Sequence, residues 1–251
     1  MYHFSMNKKI RQLQISFFRD KVKSSPDIRC GPRKCAGRYE DRIWILEHGK
    51  RKHMYRINTA KGQELLNIKN ECDKYKLLLL RLETDWVGEY GTLCSTVALP
   101  DYKNSPNRRL FDSLIVGRNP YAKEYKINYK NMIFRSKIEA DFARTMDEFG
   151  IWYKYEPEIK LYNNRFRYPD FVIYLPWLDL LILVELFGRC DKEDYLFTVR
   201  DRFYDYMMSG WKPGINMLSF YYYDKDTYVP SMIMEEIDTC ALRNFLMNVA
   251  A

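Results

Sequence analysis

The chain has 251 residues, 47% hydrophobic and 16% aromatic, which is enough apolar material for one large domain or two small ones and too much for a disordered chain. Its 41 Lys and Arg exceed its 33 Asp and Glu by 8, and a pI near 9.0 suits a polyanionic partner such as nucleic acid. The longest apolar runs, Leu77 to Leu80 and Leu178 to Leu186, are far below membrane-spanning length, and the N-terminus lacks a signal-peptide core. Six scattered cysteines (Cys30, Cys35, Cys72, Cys94, Cys190, Cys240) are unlike a secreted disulfide framework, so a cytoplasmic protein with no membrane partner is expected.

In MNKKIRQLQISFFRDKVK, Ile10, Leu13 and Phe17 recur at helical spacing and predict an amphipathic helix with a basic outer face, ending before Ser24-Ser25-Pro26. DRIWILEHGKRKHMYRI holds two β-prone segments around His48-Gly49-Lys50, where the glycine permits a tight turn, and predicts a hairpin. A rival pattern overlaps it: Cys30, Cys35, His48 and His53 have the spacing of a Cys₂His₂ zinc site, with Tyr39 and Ile45 as its apolar pair. That site would put Gly49 inside a helix, and RIWIL prefers a strand, so structural Zn²⁺ is not favoured.

Next, Leu65, Ile68, Cys72, Tyr75, Leu79 and Leu82 step by threes and fours, a heptad seam that predicts a long helix packed on a partner helix, in this chain or a second copy. The stretch from about Val87 to Lys130 has no clear period and reads as a linker with short pieces of structure. The domain border is placed within it: an N-terminal helical and β-hairpin module over 1–130, then a second domain over 131–251.

In that second half, Ile138, Phe142, Met146 and Phe149 line one face of a helix with Ser136 and Glu139 as a capping box and Gly150 as its stop. Three strand-like segments follow, IWYKYEPEIKLY, RFRYPDFVIYL and LDLLILVELF. A helix from about Asp191 to Ser209, a strand in GINMLSFYYY and a final helix over about Ser231 to Asn248 complete an expected α/β (mixed α+β) core.

Two acidic residues break local rules. Asp170 sits inside a strand-like run just after Pro169, and Glu185 ends the apolar run Leu180 to Val184, so each needs a partner to offset burial. Neighbouring strands can bring both to one end of a sheet, within reach of Glu139 on the preceding helix. Three converging carboxylates repel one another unless a cation sits among them, and oxygen-only ligands suit Mg²⁺ or Mn²⁺. Such a site on a basic chain fits phosphodiester hydrolysis. Glu156 and Glu158 alternate on a strand and are expected to pair with Arg165 or Arg167.

From about residue 135 to 220 the chain resembles the PD-(D/E)XK, or restriction-endonuclease-like, nuclease superfamily, and within it transposon end-cutting and other mobile-element nucleases. RSKIEADFARTMDEFGIWYKYEPEIKL, FRYPDF, LVELFG and DYLFTVRDRFYDYMMSG carry the resemblance, in the family's order; the N-terminal half is not covered. The resemblance implies that Glu139 is the helix carboxylate near the metal, Asp170 the central ligand, Glu185 the first acidic residue of the (D/E)XK element and the Leu186 carbonyl a further ligand. Phe187 stands where the family's lysine would be. Relatives that end this strand in a Glu-x-Phe-Gly-like motif supply the cation from the next helix. There Tyr195, Arg202 and Tyr206 share one face, which makes Arg202 the cation candidate. Arginine holds phosphate but titrates too high to be a general base, so Lys192 is the titratable alternative.

The expectation is therefore a Mg²⁺-dependent endonuclease of a phage, mobile-element or defence system, acting on DNA. RNA is not excluded as substrate. A double-strand break would need two such sites, and the Leu65 to Leu82 seam is the expected homodimer interface, with a partner protein as the other option. The rivals are a degenerate module that only binds nucleic acid or a partner, an RNA-cleaving enzyme of the same fold, and a zinc-finger DNA-binding protein.

Overall fold

The computed structural model describes residues 7–120, 127–188, 192–223 and 228–249; Cys190 and Asp191 lie outside them. The chain forms two compact units, Met1–Leu13 with Ala98–Ala251, and Gln14–Val97. The division at 97/98 lies inside the stretch from Val87 to Lys130 in which the border was placed, and residues 1–13 group with the C-terminal half.

The opening helix, α1 (Lys8–Ser24), forms as expected. Its polar residues are not all solvated, however: Arg11, Gln14 and Ser16 are buried alongside Ile10, Ile15, Phe17 and Phe18, and Arg19 pairs with Glu83 at 2.6 Å. The unit Gln14–Val97 then builds an antiparallel meander from β1 (Asp27–Cys35), β2 (Arg38–Glu47) and β3 (Lys50–Arg56). Along its inner face Ile28 and Ile43 pack with Leu65 of α2 (Ala60–Tyr90).

The β2–β3 turn places His48 (φ 50°) and Gly49 (φ 74°) in left-handed backbone, as a two-residue hairpin turn requires. His48 and His53 therefore sit in a turn and a strand where a zinc finger needs a helix, and the finger does not form. The α2 seam buries Leu65, Cys72, Tyr75, Leu78, Leu82 and Trp86, with Leu78 in the place expected of Leu79. It is covered by the meander and by α1, whose Phe18 ring lies 5.9 Å from that of Tyr75. The seam expected to make a homodimer is thus filled within one chain.

Among its described residues, the stretch read as a linker with short pieces of structure holds one helix and a short strand. After Ser105 caps α3 (Pro106–Ser113) by accepting from Arg108 N–H at 2.9 Å, Phe111 stacks 5.5 Å from Tyr174, and Lys154 donates to the Asp112 and Leu114 carbonyls. No hydrophobic period announced this helix because only Phe111 among its residues is buried.

A small hairpin, β4 (Ile127–Tyr129) and β5 (Met132–Phe134), leads into α4 (Lys137–Phe149), which starts at Ser136 and stops at Gly150 (φ 67°) as its caps predict. Then come β6 (Trp152–Tyr155), β7 (Ile159–Lys160), β8 (Phe166–Arg167), β9 (Phe171–Leu175), β10 (Leu180–Phe187), α5 (Glu193–Met208), β11 (Met217–Tyr221) and α6 (Pro230–Val249). Two expected strands are each split, one at Glu156-Pro157 and one at Tyr168-Pro169. Their inner halves pair as a separate β7–β8 hairpin.

The main sheet has the order β11-β10-β9-β6, antiparallel except for the parallel β10–β11 pair. Every residue of β9 and β10 is buried, which requires cover on both faces. The architecture is mixed α/β. Among the described residues no helix is long and apolar enough to cross a membrane.

Candidate functional site

Register brings Asp170 and Glu185 together. Phe171 of β9 lies opposite Val184 of β10 in an antiparallel ladder, so the next residues outward, Asp170 and Glu185, face each other at the sheet's end. Pro169, which cannot donate to a ladder, lies before β9 begins, and pairing resumes at once: the Asp170 carbonyl accepts from Glu156 N–H at 3.0 Å. Leu186 N–H donates to Asp170 Oδ2 at 2.6 Å.

Electrostatics favour the protonated forms of both carboxyls. Burial raises the Glu185 carboxyl above its ordinary value even though Arg202 and Tyr206 pull the other way. Asp170 is raised well above the carboxylate range, first by burial and then by the Glu185 and Glu139 charges, with Leu186 N–H and Arg202 offsetting only part. Glu139 of α4 completes the cluster. Its Oε2 accepts from Tyr155 Oη at 2.6 Å and Arg135 N–H at 2.9 Å, while its own N–H donates to Ser136 Oγ at 3.1 Å. It is thus both a helix-start residue and a member of the acidic group. Burial raises its carboxyl too, with Glu156 adding to the effect.

The helix cation arrives where the shared face placed it. Arg202 Nη1 lies 3.3 Å from Glu185 Oε2, and Tyr206 Oη donates to Glu185 Oε1 at 2.6 Å. Burial works against the arginine's charge, but Glu185 and Asp170 outweigh it and hold the guanidinium above its already high value. Phe187 packs between Tyr195, Phe203 and Tyr221 at ring distances of 5.6–6.3 Å, so a closed aromatic cluster surrounds the position two residues after Glu185. Lys192 is exposed at the start of α5, and among the described residues no ion pair joins it to the carboxyls.

Three neighbours of the site had no assigned role. Tyr155 and Arg135 hold Glu139. Glu156, expected to pair with Arg165 or Arg167, instead pairs with Arg135 and accepts from Asn119 at 2.8 Å. Its left-handed backbone (φ 46°) ends β6 beside Asp170. Glu158 pairs with Arg118, and Arg167 with Asp205. Ser219, in parallel register with Glu185, has a hydroxyl shut from solvent with no hydrogen-bond partner.

Among the described residues no three His, Cys, Asp or Glu side chains stand ready as a metal cage. The donor set nevertheless fits a hard cation, since Mg²⁺ commonly takes one or two carboxylates and keeps several waters. Asp170 and Glu185 are such a pair, with the orphaned Ser219 oxygen in register beside Glu185. Comparisons with family models, curated proteins and solved structures gave no match to this chain.

Proposed function

We propose that this chain is a Mg²⁺- or Mn²⁺-dependent endonuclease that hydrolyses DNA phosphodiester bonds with a restriction-endonuclease-like core. The observation that carries the reading is the Asp170–Glu185 pair, two carboxyls brought to facing positions at a sheet end with the Arg202 guanidinium beside them. A divalent ion would offset the charge that burial disfavours there. The order α4, β6, β9, β10, α5, β11, with an acidic residue on α4, at β9 and on β10, supports the fold assignment.

In this reading Asp170 and Glu185 hold the ion, with Glu139 and the Leu186 carbonyl as further oxygen donors. A bound ion supplies Lewis-acid stabilisation of the charge that develops on the phosphoryl oxygens. Arg202, 31% exposed, stays charged and turns its free N–H groups toward a phosphate. Tyr206 and Tyr155 fix the rotamers of Glu185 and Glu139.

The test is cleavage of supercoiled DNA, single-stranded DNA and labelled RNA by wild type and Asp170→Ala in Mg²⁺, Mn²⁺ and EDTA. The expected result is divalent-dependent DNA cutting that disappears in the variant. A folded wild type that cuts none of these and binds no divalent ion by calorimetry would sink the reading and leave a binding module.

A further inference from the structure

We infer that the outer face of the β1–β2–β3 meander is a docking surface for the phosphate backbone of duplex DNA. Choosing DNA among polyanions rests on the proposed function; the surface itself rests on charge and packing in the unit Gln14–Val97.

The meander as a whole carries much of the chain's net charge, and the register puts Arg29, Arg33, Arg38, Arg42, Arg51 and Arg56 on the Trp44 side. Between Asp27 and Arg56 nine Lys and Arg stand against four Asp and Glu, a net +5 out of the chain's +8. Strand alternation gives the two faces opposite characters. Ile28, Ile43, Ile45 and Tyr55 turn to α2, so Trp44, next to Ile43, turns outward. It is nevertheless only 6% exposed, because Arg33 and Arg51 lie over its ring, 4.6 and 5.3 Å from the centroid. The nearby carboxylates are already engaged: Glu40 with Arg42 and Arg56, Asp27 with Arg29, and Glu47 with Lys52. Among the described residues Arg33 and Arg51 have no carboxylate partner.

An indole that is 6% exposed with two guanidiniums over its ring offers little surface for a base to stack on, which argues against single-strand capture. What it provides is two arginines with reduced side-chain freedom, Arg51 exposed and Arg33 half-buried. Held this way, they suit sequence-independent contacts with phosphates, which position a duplex without reading it.

The experiment measures the affinity of the full chain for a labelled duplex of arbitrary sequence against salt concentration. Each neutralised phosphate contributes about 0.9 to the slope of log K against log salt, so Arg33→Gln with Arg51→Gln should lower it by about 1.8. Lys61→Gln with Lys69→Gln removes equal charge from α2 and should leave the slope unchanged. If the arginine pair unfolds, Arg38→Gln, on the same face and touching no ring, carries the test with a fall of about 0.9.

An unchanged slope in the folded double variant, an equal fall in the lysine variant, or anionic phospholipid vesicles outcompeting the duplex would overturn the assignment. Asp170→Ala is expected to bind with the wild-type slope. If it still cuts DNA, the nuclease reading fails and the docking surface stands; a wild-type slope in the arginine variant does the reverse.

Discussion

Burial and neighbouring carboxylates raise the Asp170 carboxyl above its value in the unfolded chain, and this gives stability a pH dependence of known sign. Between the ordinary carboxylate pKa, about 4, and the raised native value of Asp170, the folded chain binds more protons than the unfolded one. Stability is therefore complete on the acid side and falls as pH rises through that interval. In EDTA the thermal midpoint is expected to drop from mildly acidic to neutral pH, Mg²⁺ or Mn²⁺ to restore it, and Asp170→Asn to flatten the profile. A variant whose midpoint falls as steeply as wild type would refute this. Arg202 gives a second test at this scale. Its removal leaves Glu185, which is wholly buried, without its cation. The cost should be about 2 kcal/mol by urea denaturation at neutral pH, below the ~3–5 of a fully buried pair because Arg202 is partly solvated and Glu185 can take up a proton. It should shrink in acid. Both carboxylates were legible in the sequence because each violated a local rule. Tyr155 and Glu156 were not, because the partners of a tyrosine hydroxyl or a strand-end carboxylate are fixed only by tertiary packing. Lys192 was a fair choice by charge, but its place at the start of α5 leaves it in solvent.

At the level of elements, β10 and α5 make the site one packed unit. Phe187, two residues past Glu185, is 1% exposed and joins Val199, Tyr195 and Phe203 of α5. Truncation to alanine should cost about 3 kcal/mol and loosen the helix that carries Arg202 and Tyr206. Phe187→Lys, which restores the family's lysine by sequence, should destabilise at least as much and not raise activity, because its ammonium would enter an aromatic cluster. Thermal melts with cleavage rates check both, and faster cutting by the lysine variant would mean that α5 does not supply the cation. Where sequence patterns served well, local and tertiary signals agreed: α4 has its cap at Ser136, its stop at Gly150 and one apolar face between them. Where they misled, the signal was local and the outcome tertiary. The α2 seam is real, but a three-stranded meander and α1 fill it in place of a second copy. The α3 segment carried no period because a single phenylalanine anchors it.

Across the whole molecule, charge and chemistry are divided between the two compact units. The carboxyl cluster with Arg202 lies wholly in the unit that contains Ala98–Ala251, whereas most of the net positive charge lies in Gln14–Val97. Uniform binding contacts change KM, and contacts to the reacting phosphate change kcat. If the proposed assignments hold, Arg33→Gln with Arg51→Gln should raise KM for duplex cleavage by the same factor as Kd and leave kcat unchanged. Arg202→Ala should lower kcat with little change in Kd. Added salt should mimic the first pattern and not the second, since it competes for backbone phosphates but screens a buried ion pair weakly. Steady-state cleavage at several salt concentrations separates the two. A fall in kcat in the arginine double variant at saturating DNA would show that the meander takes part in the chemical step as well as in binding.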